Sequence, residues 1–175
     1  MLLPVIAWSV TGIFFLVRPA YEAAYAPLLP RTYAPDVVTL AAQPQWQEVR
    51  VLKTVLGQHI LVRQSGTWRQ LNPSTLQPRV APTEGELRAL VSDAISQSPE
   101  RYGTLLAESA PSFKTSTGVT IDVNWDALSL NQQGADTRWI DRIYSIHYLQ
   151  WSGIAMLDAV LGVVGILLLL LMTLT

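Results

Sequence analysis

The sequence predicts an α+β protein in which a small antiparallel sheet carries one packed helix and a transmembrane helix flanks this domain at each end. Three observations predict it: an uncharged apolar run at either end, an alternating β-branched middle cut by turn residues, and one amphipathic stretch behind a helix-capping signature.

From Leu2 to Val17 no residue is charged, and only Ser9 and Thr11 are polar. At 1.5 Å per helical residue the run spans roughly 24 Å against a bilayer core of about 30 Å, with Tyr21 and Tyr25 extending it into the headgroup layer. At the other end nothing is charged from Ala159 to Thr175. With the Trp151–Leu157 lead-in the sole charge is Asp158, and the segment reaches ~36 Å. Residues 1–18 and 152–175 are therefore expected to be two transmembrane helices. A cleaved signal peptide is the weaker reading, because no Lys or Arg precedes the first run and no small-x-small site follows it. Two passes put both termini on one side; the outer flanks carry no Lys or Arg to set the direction, and the middle is placed by default in the periplasm of a bacterial inner (cytoplasmic) membrane.

Residues 19–45 hold Pro19, Pro27, Pro30, Pro35 and Pro44 out of 11 prolines, and read as an extended extracytoplasmic connector. The domain is expected over residues 46–136. Within it Val49–Lys53, Ile60–Arg63 and Thr67–Leu71 form a three-stranded meander, broken at Gly57 and at Ser65-Gly66. Thr83 and Glu86 stand at capping-box spacing before a helix whose Leu87, Leu90, Val91, Ala94 and Ile95 share one face, and Pro99 stops it. Val119–Trp125 alternates as a last strand, 126–134 reads as a turn-rich exit, and 137–151 is expected as an interfacial helix.

The charge balance, 12 basic against 13 acidic residues, offers no basic surplus for nucleic acid. Cysteine is absent, which removes thiolate metal sites and thiol nucleophiles. Neither a phosphate-cradling glycine loop nor GxSxG nor HExxH occurs. The carboxylate pairs Glu84/Glu86 and Asp122/Asp126 are explained by capping and by solvated strand ends. No catalytic residue is assigned, and the chain is expected not to be an enzyme.

The candidate contact residues lie at the ends. Trp139, Tyr144, Tyr148 and Trp151 precede the second apolar run, where amphipathic rings favour a membrane interface. His147, Trp151, Ile154 and Asp158 follow helical spacing, which makes Asp158 a contact candidate and His147 an alternative haem ligand; otherwise no cofactor and no metal are expected. The other histidine, His59, lies in the hairpin. Gly162 and Gly165, with Gly153, Ala155 and Ala159, open a flat strip for a second helix, and Trp8 and Gly12 supply its complement.

Trp8-x-x-Thr11-Gly12-x-x-Phe15, the ensuing domain, Ile146-His147-Tyr148-Leu149-Gln150-Trp151 and Leu161-Gly162-x-x-Gly165 together resemble the PepSY-type membrane proteins. Trp68-Arg69-Gln70-Leu71-Asn72-Pro73-Ser74-Thr75 is similar to that family's strand followed by Asp-Pro-x-Thr-Gly, with the Asp and the final Gly absent here. The resemblance implies an extracytoplasmic α+β module on membrane helices, linked to peptidase inhibition or iron-linked redox proteins. Combined with the small-residue strip, it leads to the expectation of a non-enzymatic accessory or stabilising subunit of a larger membrane complex, respiratory or photosynthetic. Its partners would be the lipid bilayer and other membrane-protein subunits. A haem- or iron-associated protein using His147 and a peptidase-regulating module are the alternatives.

Overall fold

The computed structural model describes the backbone of residues 2–18, 21–41, 43–107, 110–148, 150 and 152–173, with the side chains at 2–5, 7, 169, 172 and 173 outside the description. The chain divides into two compact units, Pro27–Gly134 and the pair of segments Met1–Ala26 and Ala135–Thr175.

In the Pro27–Gly134 unit, β1 (Glu48–Thr54), β2 (Gly57–Gln64) and β3 (Thr67–Leu71) form an antiparallel meander. Ser65 and Gly66, with φ of 50° and 78°, close the β2–β3 hairpin in the left-handed conformations that match strand twist. β2 is buried on both faces from His59 to Val62. Ile60 and Val62 pack with Leu71, Val38, Leu40 and Trp46, so the Pro-rich segment covers one face of this sheet. Leu61, on the opposite face, meets Leu90 and Leu128. The covering segment is pinned by Tyr33, whose N–H donates to the Lys53 carbonyl and whose hydroxyl donates to Asp93.

Helix α3 (Glu84–Ile95) opens on Thr83, with both bonds of the capping box in place. The Glu86 carboxylate accepts from the Thr83 N–H at 2.7 Å, and these bonds hold its pKa below the ordinary carboxylate value. Its apolar face, Leu87, Leu90, Val91, Ala94 and Ile95, is fully buried. Pro99–Tyr102 forms a short α4, and β4 (Ser112–Lys114), β5 (Thr120–Asn124) and β6 (Ser129–Gln133) form a second antiparallel sheet. Phe113, Ile121 and Leu130 from this sheet join α3, Tyr102 and Leu28 in the main core.

The expectation of one small sheet is thus corrected to two three-stranded sheets. Val119–Trp125 does contain a strand, but it pairs in the second sheet, and the expected turn-rich exit contains β6. In the remaining unit α1 (Leu2–Val17) packs along α5 (Ala135–His147), α2 (Tyr21–Tyr25) follows α1, and α6 (Ala155–Thr173) ends the chain.

The two expected transmembrane helices are overturned. Among the described residues no helix is long and apolar enough to cross a membrane. The physical reason is local. α1 has 16 residues, or ~24 Å, and α6 has 19, or ~28 Å, with Asp158 in its first turn. The second apolar segment loses its lead-in because Gly153, at φ 72°, breaks the helix between α5 and α6. The two-pass placement in the inner membrane and the periplasmic middle fall with the helices that implied them.

Phe113 is fully buried at the centre of the main core. Phe113→Ala is expected to cost about 3–5 kcal/mol in the denaturant unfolding of this unit, and Thr83→Ala ~1 kcal/mol through the lost cap. A Phe113→Ala loss below about 1 kcal/mol would contradict the assigned core.

Candidate functional site

The site is built where α1 meets the C-terminal end of α5. A helix leaves its last carbonyls without intrahelical partners, and His147 closes α5. The Trp8 indole N–H donates to the His147 carbonyl at 2.8 Å, which caps that end across 139 residues of chain. The Trp8 ring also stacks on the imidazole, with centroids 5.4 Å apart and planes 16° from parallel. Phe15 and Tyr148 meet the same imidazole edge-on at 4.8 and 5.3 Å.

The hydrogen bonds determine the tautomer. Thr11 is buried, and its hydroxyl donates to the Trp8 carbonyl at 3.0 Å. Its oxygen therefore accepts from the imidazole Nδ1, 2.9 Å away. Nδ1 carries a proton, and in the neutral ring the lone pair lies at Nε2. A neutral imidazole oriented through its other nitrogen is the arrangement that suits a histidine for ligation or for accepting a hydrogen bond.

The surrounding rings extend this contact along both helices. Trp139 meets Phe14 edge-on at 5.2 Å, and Tyr144 packs on Phe15 at 4.5 Å and stacks on Tyr148 at 6.0 Å. The Tyr25 hydroxyl donates to Asp141 at 2.9 Å. Desolvation and that bond push its phenol up to about 12, so it stays a donor at neutral pH.

Beside this cluster runs an open groove of ≈ 560 Å³ lined by Ser145, Tyr148, Gln150, Gly153, Ala155, Asp158, Ala159 and Gly162. Ala155 and Ala159 stand four residues apart, one turn of helix, which is the small-xxx-small spacing that lets a second backbone approach. A Cβ added at Gly162 would meet nothing within 4 Å. The Asp158 carboxylate accepts from the Ser152 N–H at 3.0 Å and hydroxyl at 2.7 Å, so its charge stabilises the entry to α6.

The structure therefore brings together Trp8, Tyr144, His147 and Tyr148, with Trp139 on the same helix pair. Gly12 follows Thr11 on α1 with open space at its Cβ position. Gly165 is half-buried one turn beyond Gly162, and Trp151 lies outside the described residues. The shared helical face expected for His147, Trp151, Ile154 and Asp158 does not exist, because residues 152–154 are not helical. Sequence reasoning missed Thr11 as the partner of His147. The small-residue strip expected from the sequence included Ala155 and Ala159, and both line the groove.

Were a haem bound, the His147 imidazole would be the group to hold its iron; His59 is fully buried and both its ring nitrogens are engaged. Among the described residues no group of three or more His, Asp or Glu is placed to hold a metal ion. In comparisons with known proteins, no family model, no curated protein and no solved structure matches this chain.

Thr11→Val removes the acceptor for the His147 ring N–H. The His147 ring nitrogens are expected to shift from a single Nδ1–H tautomer to a mixture by ¹⁵N NMR, with a loss of about 1 kcal/mol in the α1–α5 packing. An unchanged tautomer would contradict the assigned bond.

Proposed function

We propose that the chain is a non-enzymatic accessory subunit held in a larger protein assembly by α6, whose small-residue groove receives an apolar helix of the partner. The observation that carries this reading is the exposure of α6. Its large apolar side chains from Val160 to Leu171 whose exposure is described are between 41% and 61% exposed, around the whole helix. A surface helix normally turns one apolar stripe inward and a polar face outward; a helix apolar all round belongs inside something. Fully burying one Leu, Ile or Val side chain contributes roughly 1.5–3 kcal/mol, so covering α6 supplies a large part of a subunit's binding energy.

The groove gives the contact its specificity. Ala155, Ala159 and Gly162 remove side-chain bulk on one side of α6, and a partner helix with bulky aliphatic residues fits that side closely. The aromatic cluster holds α1 against α5 beside it.

Gly162→Leu tests the reading, because a Cβ added there meets nothing within 4 Å and the position lines the groove. Native purification of the full chain is expected to recover a stoichiometric protein partner, and Gly162→Leu is expected to lower that recovery at least ~10-fold, about 1.4 kcal/mol. A chain that runs alone at its own mass, or that carries lipid only, would overturn it.

A second reading rests on the proton placement at His147: were a haem bound, Nε2, with Nδ1–H held by Thr11, would ligate its iron. A Soret band in the purified assembly that is lost in His147→Ala would support it, and a colourless assembly would end it.

A further inference from the structure

The second histidine has a different setting. His59 lies on β2 with its side chain fully buried. Gln70 donates its amide N–H to the backbone carbonyl of Trp125, so its Oε1 is turned to the imidazole, 2.8 Å from Nδ1. An amide oxygen only accepts, so the proton is on Nδ1. Nε2 is then an acceptor for the Thr54 hydroxyl at 2.8 Å, and Thr54 Oγ1 in turn accepts the Leu56 N–H at 3.1 Å. A single directed chain results: Leu56 N–H to Thr54, Thr54 O–H to His59, His59 N–H to Gln70, Gln70 N–H to Trp125. It starts in the β1–β2 turn of the first sheet and ends in the β5–β6 turn of the second, where the Leu128 N–H also donates to the Trp125 carbonyl.

The remaining neighbour is a cation. Arg79 Nη1 lies 3.0 Å from His59 Nδ1 and gives one of its two hydrogens to the Gln58 carbonyl at 2.8 Å, while Nη2 donates to the Leu56 carbonyl at 3.2 Å. The guanidinium stands 5.4 Å from the centre of the Trp125 ring, which itself meets the imidazole edge-on at 5.6 Å. The groups facing His59 are thus Thr54 from β1, Gln70 from β3, Arg79 from the segment after β3 and Trp125 from the β5–β6 turn. Arg79 carries the charge among them, and Glu86 of α3 acts on Arg79 from its cap with Thr83.

We infer that this cluster is an acid-sensitive latch between the two sheets, closed while His59 is neutral and released when a proton on Nε2 displaces the Thr54 hydroxyl and sets a second cation against Arg79. The Thr54 O–H then points at no acceptor in a buried site, which costs more than the bond was worth. The two like charges at contact distance separate, and the Gln70 side chain lets go of the Trp125–Leu128 turn, which leaves the first sheet.

The direction of the titration agrees. Burial holds the His59 pKa below the ordinary 6.5, with Arg79 adding to it and the Gln70 bond opposing. A base whose folded pKa is depressed contributes its stability above the unfolded value. That contribution is lost as pH falls below 6.5 toward the folded value. The latch is closed at neutral pH and opens in mild acid.

The test uses the full chain. Ring ¹⁵N shifts of His59 at about pH 7.5 are expected to show the neutral Nδ1–H tautomer. Hydrogen-exchange protection at the Leu56 and Leu128 amides is expected to fall ~10-fold or more between about pH 7 and pH 5, while the α3 amides hold. Arg79→Gln removes the facing charge and moves the transition to higher pH; His59→Gln abolishes it. An Nε2–H tautomer, protection that does not change with pH, or a transition that Arg79→Gln leaves in place would overturn the latch.

Discussion

Apolar surface has to leave water, and the two units of this chain meet that requirement differently. In the Pro27–Gly134 unit it is met internally: α3 is buried by both sheets' side chains, and a proline-rich segment covers the face of β2 that α3 does not reach. In the other unit, among the described residues, it is met where α1 and α2 lie on α5. α6 keeps large aliphatic side chains exposed on every side, and the proposed partner contact rests on that surface. The functional reading follows from this asymmetry more than from any single residue.

Polar chemistry in the molecule is concentrated at its two histidines, and in each a neighbour's donor decides the proton. At His147 the Thr11 hydroxyl is already committed to the Trp8 carbonyl, so it accepts from Nδ1. At His59 the Gln70 amide is committed to Trp125, and Nδ1 again carries the hydrogen. The environments then diverge. His147 is half-buried against aromatic rings with a lone pair at Nε2, whereas His59 has both nitrogens satisfied and a guanidinium pressed beside it. One is suited to a contact outside the chain, the other to holding the fold.

Much of the meander and α3 was legible because the signals are local: alternating runs around Ser65-Gly66, and Thr83 three residues before Glu86. The second sheet was not. β4 has 3 residues, and β6 reads Ser-Leu-Asn-Gln-Gln without a β-branched residue, so their pairing with β5 depends on burial of Phe113 and Leu130 against distant α3. The terminal runs misled for a related reason. Hydropathy reports composition, whereas helix length depends on where the backbone breaks, and Gly153 with the Ser152–Asp158 bonds breaks it before Ala155. Trp8, Tyr144, Tyr148 and His147 stood out in the sequence. Their joint contact required Thr11, whose role no spacing within either helix reveals.

The most direct measurement is site-specific photo-crosslinking from α6 in the native cell. A crosslinking residue at Leu161 is expected to give one discrete heavier protein adduct, and the same residue at Val80, exposed in the other unit, is expected to give none. Adducts to lipid alone, or no adduct from Leu161, would contradict a protein partner on this helix.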